Sequence, residues 1–84
     1  MKGRKEIEIA RYFPQYCSPG SYDYVWNVPE DATAESWFMS LSDSEKAKLC
    51  ETGTRIQISI RENFGAWGSE LCSRYSVRCA DYRK

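Results

Sequence analysis

Cysteine is the residue type with the widest chemistry in this chain, because the sequence contains no histidine. A thiolate can act as a nucleophile or a metal ligand, but it normally needs a neighbouring base or cation to form. The four cysteines are Cys17, Cys50, Cys72 and Cys79. No two of them have the short CxxC-like spacing that preorganises a structural zinc site. The sequence therefore predicts no catalytic residue, no metal site and no cofactor, and we expect a protein that is not an enzyme.

Two other patterns resemble chemical sites but have simpler structural explanations. Glu6 and Glu8 share one face of a predicted strand, where a solvated surface explains them better than an acid–base pair. Residues 65–68, with the sequence Gly-Ala-Trp-Gly, lack the lysine and the strand-to-helix context of a phosphate-binding loop. Neither pattern changes the prediction that catalytic machinery is absent.

The thiols are expected to be reduced and unpaired. Cys72 and Cys79 fall on one predicted helix, where their spacing corresponds to about 10 Å of rise, and a disulfide needs α-carbons within about 7 Å. Charged residues are scattered through residues 1–11, where a signal peptide needs an unbroken apolar run. We therefore expect a cytoplasmic protein. No stretch approaches the roughly 18 apolar residues of a membrane span, so no membrane association is expected.

The charged residues are balanced in number but not in position, with twelve basic and twelve acidic side chains. Acidic residues dominate residues 30–51, and arginines dominate after residue 54, so the molecule is predicted to be electrically two-sided. The acidic segment suits a basic partner surface, such as a protein groove that otherwise holds nucleic acid. Ordinary solvated helix faces are the competing explanation. The predicted partner-binding residues are Glu30, Asp31, Glu35, Asp43, Glu45 and Glu51.

Aromatic residues offer a second surface, since the chain has three Trp, six Tyr and three Phe, too many for a disordered chain. Tyr22, Tyr24 and Trp26 alternate along a predicted strand, so they share a face that can stack unpaired bases. Arg61 or Arg74 can contact phosphates, and Arg74 and Arg78 form the clearest basic stripe, on a predicted helix. These residues form the alternative, nucleic-acid contact. An aromatic face of this kind more often packs beneath a helix, and arginines near a helix C-terminus are commonly solvated.

Apolar spacing predicts the elements of the N-terminal half. Residues 5–13 and 21–28 alternate apolar and polar side chains, which predicts two strands joined as an antiparallel hairpin. The segment 29–31, Pro-Glu-Asp, suits the start of a helix, and apolar residues at three- and four-residue spacing carry that helix to about Leu41.

The C-terminal half contains the ambiguous segments. Ser42 and Glu45 form a capping-box pair, which predicts a second helix that ends at Gly53. Residues 54–61 alternate isoleucine with polar residues and favour a strand, since β-branched residues lose rotamer freedom in helices. A helical stripe continuing through the segment would contain two interior glycines, each costing about 1 kcal/mol relative to alanine. Residues 69–81 predict a third helix, capped by Ser69. Its predicted inward residues are Leu71, Cys72, Tyr75, Cys79 and Tyr82.

These elements predict an α+β fold in the order β-β-α-α-β-α, with a short antiparallel sheet packed by helices. The alternative is an N-terminal β-hairpin followed by a helical C-terminal half. Residues 1–84 are expected to form a single domain, in which residues 1–4 are a flexible N-terminus.

A small domain that lacks catalytic equipment and is rich in Tyr, Trp and Arg is expected to act by occupying a surface. We expect a non-enzymatic protein-binding module that masks or inhibits a cytoplasmic protein partner stoichiometrically. In size and in its lack of an enzyme signature, the chain is similar to the small accessory proteins that phages and mobile elements use to block host machinery. A nucleic-acid-binding regulator is the alternative, which the net charge of zero disfavours.

Overall fold

Four antiparallel strands and two helices make up the computed structural model, which describes residues 3–83. The strands are β1 Arg4–Tyr12, β2 Ser21–Val25, β3 Arg55–Asn63 and β4 Ser69–Arg78, and the helices are α1 Ala34–Met39 and α2 Asp43–Leu49. Short 3₁₀ turns lie at Gly65–Trp67 and Cys79–Asp81. The strand order across the sheet is β2-β1-β3-β4. The predicted α+β class is confirmed.

The C-terminal segment contradicts the predicted third helix, because Ser69–Arg78 forms strand β4. Ser73, Tyr75 and Val77 lie directly opposite the three isoleucines of β3, so they alternate with the period of a strand. Helical spacing in this segment is a local pattern, whereas pairing with β3 satisfies backbone hydrogen bonds along a strand that would otherwise be an edge. The order of the main elements is therefore β-β-α-α-β-β.

The change from helix to strand redistributes the side chains of this segment. Cys79 is buried, and Tyr75 and Tyr82 pack against the core, as predicted. Leu71 and Cys72, which the helical interpretation places inward, are exposed instead. A register shift between Ile60 and Arg61 of β3 leaves Cys72 unpaired there, a β-bulge that redirects the β4 residues beside it.

Strand β3 agrees with the prediction for residues 54–61, and the helical alternative for this region is wrong. Gly65 and Gly68 adopt positive φ values of 68° and 97°, which a continuous right-handed helix excludes. These glycines instead allow the chain to reverse between β3 and β4. The alternative fold with a helical C-terminal half is also wrong, because β3 and β4 occupy most of that half.

The helix boundaries follow their capping residues. Helix α1 begins at Ala34 after the N-cap Thr33, a few residues later than the Pro-Glu-Asp segment predicts. Ser42 and Glu45 form the predicted capping box of α2, which ends at Leu49, before Gly53. At the other end of the chain, residues 1 and 2 of the expected flexible N-terminus lie outside the described residues. The Gly3 backbone N–H donates to a carboxylate oxygen of Glu62 at 2.8 Å, and Arg4 begins β1.

The core lies between one face of the sheet and the two helices. The isoleucines of β1 and β3 alternate onto this face, and α1 covers it with Phe38. Because both helices lie against the isoleucine face, the other face of the sheet is left open among residues 3–83. The fully buried large side chains are Phe38, Ile7, Ile9, Ile56, Ile58, Ile60, Cys50 and Cys79.

Candidate interaction surface

Exposed aromatic side chains mark the open face of the sheet. Tyr22 and Tyr24 of β2 lie opposite Ala10 and Glu8 of β1, on the face away from the isoleucines. Tyr22 is 50% exposed, Tyr24 is 48% exposed, and Trp26, just beyond the strand, is 53% exposed. The expected packing of this aromatic face beneath a helix is therefore wrong, because the helices cover the more apolar isoleucine face.

The aromatic rings on the open face are held in place by one another and by arginines. The rings of Tyr24 and Trp26 stack with their centroids 6.0 Å apart and an interplanar angle of 18°. The Arg4 guanidinium lies 5.9 Å from the Trp26 ring centroid, and the Arg55 guanidinium lies 4.3 Å from that of Tyr12. These contacts order planar groups before any partner arrives, which lowers the entropy lost on binding.

Arginines occupy the other half of the open face. Arg55 of β3 is directly opposite Arg78 of β4, and Arg74 lies on the same face of β4. Arg61 of β3 is opposite Glu6 of β1. Residues directly opposite one another across an antiparallel pair have Cβ atoms about 5 Å apart, so Arg55 and Arg78 place like charges side by side. This half of the face is therefore complementary to negative charge.

Two glutamates separate the aromatic and arginine halves. Glu6 and Glu8 lie on the open face of β1, and both are half-buried. Desolvation raises the pKa of Tyr24 above its ordinary value, and the negative charge and hydrogen bonding of Glu8 raise it further. The Tyr24 phenol therefore stays neutral to a higher pH than an isolated tyrosine. The open face offers hydrogen-bonding, aromatic and charged groups within a few strand widths.

The structure brings together the predicted nucleic-acid set. Tyr22, Tyr24, Trp26, Arg74 and Arg78 all lie on the open face, although more than half the length of the chain separates the aromatics from the arginines. Arg61, which was also predicted as a phosphate contact, lies on this face as well, whereas Arg4, Tyr12 and Arg55 were not among the predicted residues. The sequence pattern that could have identified them is the set of polar positions in each alternating strand. Side chains that alternate with the buried isoleucines must lie on the opposite face of the sheet.

The predicted acidic residues lie on the helical side of the molecule. All six are exposed, on α1 and α2 or in the loops that flank them. Asp43 and Glu45 occupy the first turn of α2, and Glu35 the first turn of α1, where negative charge stabilises the helix dipole. Hydrogen bonds from the backbone and side chain of Ser42 lower the pKa of Glu45. Stabilisation of the helix N-termini therefore explains some of the acidic residues in this segment without a binding partner.

The cysteines are free and fall into two environments. Cys17 and Cys72 are exposed, whereas Cys50 and Cys79 are buried. Burial raises the pKa of the Cys50 thiol to about 12, with further contributions from neighbouring Cys79. Cys72 and Cys79 share a strand-and-turn segment rather than a helix, so an extended chain separates them by roughly 20 Å or more. Among residues 3–83, no group of three or more cysteine or acidic side chains is arranged to hold a metal.

A shallow groove of about 390 Å³ lies on the helical side, between β2 and the helices. Its lining is largely apolar, but its floor contains Arg11. The Arg11 guanidinium donates to Asp23 at 3.1 Å and to the backbone carbonyl of Leu49 at 2.9 Å. These bonds join β1, β2 and the end of α2, so this charged group has a structural role within the fold.

Comparisons with protein-family models, with curated proteins and with solved structures each find no match to this chain. Within the described residues, every helix is too short or too polar to cross a membrane. The case for function therefore depends on the geometry and chemistry of the open face.

Proposed function

We propose that this chain is a non-enzymatic binding module that masks or inhibits a cytoplasmic protein partner stoichiometrically, and that it binds through the open face of its sheet. The observation that carries this proposal is the exposure of Tyr22, Tyr24 and Trp26 beside an arginine row on a face that no described element covers. In this proposal the protein is of the type that phages and mobile elements encode to block host machinery.

The composition of the open face matches the energetic centre of protein interfaces. Trp, Tyr and Arg are the residues enriched at binding hot spots, where burial of a large planar group excludes water from neighbouring hydrogen bonds. Tyr24 and Trp26 already stack on each other, and they project from a hydrogen-bonded sheet. A partner therefore gains aromatic contact area without ordering a flexible loop.

The charge pattern of the open face determines its orientation on a partner. Arg74, Arg78 and Arg55 line one half, whereas Glu8 lies in the centre beside the aromatic half. A protein surface with an acidic strip next to an apolar patch is complementary to this arrangement. In this proposal the acidic helical side stays exposed in the complex, and its charge adds to long-range steering.

Binding of single-stranded nucleic acid is the second candidate function. It is favoured by the presence of stackable aromatics and phosphate-binding arginines on one face, the arrangement used by sheet-based RNA-binding domains. Glu6 and Glu8 oppose it, because they place carboxylates between the two halves, in the path of a phosphate backbone. The chain also has no excess positive charge to supply non-specific affinity.

The proposed function is tested with two matched double variants, Y22A/Y24A on the open face and D31K/E51K on the helical side. The partner is captured from an extract of the native host with the wild-type chain and identified by mass spectrometry. It is then purified and titrated against each variant by calorimetry. We expect wild-type binding at a 1:1 ratio, a loss of at least about tenfold in affinity for Y22A/Y24A, and little change for D31K/E51K.

All four substituted side chains are exposed, so circular dichroism should show that both variants remain folded. Glu45 is left unchanged because it caps α2. The opposite result, a loss confined to D31K/E51K, would assign the interface to the acidic helical side and reject the open face. Equal affinity for wild type and both variants would reject both surfaces.

A further inference from the structure

The tip of the β3–β4 hairpin exposes a tryptophan almost completely. Trp67 is 81% exposed, more than any other large hydrophobic side chain among the described residues. An indole is among the most costly side chains to leave in water, and burying one removes up to about 250 Å² of surface from solvent. Because Trp67 buries little of its surface within the fold, a contribution to folding does not explain a tryptophan at this position.

The turn that carries Trp67 is ordered by its own hydrogen bonds. The Phe64 N–H donates to the Gly68 carbonyl at 2.8 Å, and the Gly68 N–H donates to the Gly65 carbonyl at 3.0 Å. The Asn63 side chain accepts a bond from the Gly65 N–H at 2.8 Å. With Gly65 and Gly68 at positive φ, the turn has a defined conformation that presents the indole outward. The entropic cost of ordering this loop is therefore met during folding.

Trp67 lies at the same end of the sheet as the exposed Trp26. Arg4 at the start of β1 is paired with Asn63 at the end of β3, and β2 ends close by at Val25. The hairpin tip thus extends from the end of the open face where Tyr24, Trp26 and Arg4 already associate.

Charged residues surround the tip asymmetrically. Arg4 and Arg61 lie on the open face close to the hairpin end. On the other face, Glu62 of β3 is directly opposite Glu70 of β4, which places two carboxylates next to the turn. Lys5 of β1 is in turn directly opposite Glu62, so both signs of charge surround the tip. A phosphate chain or an anionic lipid surface has one sign only and would meet Glu62 and Glu70 unfavourably, whereas a protein surface can match both signs. The mixed charge therefore favours a protein as the group that receives the indole.

We infer that Trp67 is the anchor of the interface, inserted into an apolar pocket of the protein partner. Charge complementarity requires that pocket to have acidic residues on the side that meets Arg4 and Arg61, and basic residues on the side that meets Glu62 and Glu70. This inference rests on the proposed function and adds its geometry: the open face lies flat on the partner, and the hairpin tip enters a cavity at one edge.

The test compares Trp67→Ala and Trp67→Phe with a control substitution at the neighbouring exposed residue, Ala66→Ser. Each is titrated against the purified partner by calorimetry, after circular dichroism confirms folding. As an interface anchor, Trp67→Ala should weaken binding by at least about 30-fold, Trp67→Phe should retain part of the affinity, and Ala66→Ser should bind like wild type.

Iodide quenching provides a second readout that does not depend on affinity. The fluorescence of Trp67, taken as the difference between wild type and Trp67→Phe, should be accessible to iodide in the free protein and shielded in the complex. An indole that stays accessible in the complex would overturn the inference. So would an emission shift on adding oligothymidylate or phosphatidylserine vesicles without the partner, because either would assign Trp67 to another ligand.

Failure of this inference is distinguishable from failure of the proposed function. If Y22A/Y24A weakens binding and Trp67→Ala does not, the open face is the interface and the anchor is rejected. If neither variant weakens binding, both proposals are rejected. If Trp67→Ala alone weakens binding, the hairpin tip is the contact and the open face is not.

Discussion

Burial separates the four cysteines by their reactivity, which gives a prediction at the scale of single residues. Cys17 and Cys72 are exposed, and Cys50 and Cys79 are buried. Only a thiolate reacts readily, and burial holds the Cys50 thiol neutral by raising its pKa to about 12. Titration with Ellman's reagent should modify two thiols rapidly in the folded protein and all four in urea. A third fast thiol under native conditions would contradict the packing around Cys50 and Cys79.

The raised pKa of Cys50 also links stability to pH. Folding favours the neutral thiol, so the stability that this preference contributes is fully present below the ordinary thiol pKa of 9.0. It is lost as the pH rises from that value towards about 12, because the unfolded chain then ionises more readily than the folded one. Ionisation of this buried thiol should therefore lower the free energy of unfolding at alkaline pH.

A capping box stabilises the first turn of helix α2, which gives a prediction at the scale of elements. The Ser42 hydroxyl accepts from the Glu45 N–H at 3.2 Å, and the Glu45 carboxylate accepts from the Ser42 N–H at 3.0 Å. Ser42→Ala removes the first of these bonds and should lower the free energy of unfolding by about 1 kcal/mol. Urea denaturation measures the change. Ser44→Ala, within the same helix, is the matched control and should cost little or nothing.

At the scale of the whole molecule, positive and negative charge are distributed unevenly between the two sides. Arginines outnumber the two glutamates on the open sheet face, acidic residues are concentrated on and around the helices, and the net charge is zero. Non-specific nucleic-acid affinity depends on a positive excess that releases counterions. We therefore expect no measurable binding of labelled oligothymidylate or oligouridylate at about 0.15 M salt, measured by fluorescence anisotropy. Binding that falls steeply with salt and disappears in R74E/R78E would favour the second candidate function.

The sequence by itself determined the elements that short local patterns identify, without contacts to distant parts of the chain. The alternation of Ile7 and Ile9 with glutamates, and of the β3 isoleucines with polar residues, identified two strands and their buried faces. The Ser42 and Glu45 pair located the start of α2. Each signal is a spacing or a cap that a few consecutive residues complete, so it can be recognised without knowing the rest of the fold.

Tertiary structure alone decided the conformation of residues 69–78 and the assembly of the open face. The segment carries both a helical and an alternating pattern, and the strand is selected because β3 offers it a complete row of backbone partners. Likewise, alternation showed that Tyr22 and Tyr24 share a face, but not whether a helix covers it. The strand order β2-β1-β3-β4 carries the aromatics of β2 and the arginines of β4 onto one open surface. Such placement depends on non-local pairing and on which face buries more apolar area, and neither is encoded in the spacing of neighbouring residues.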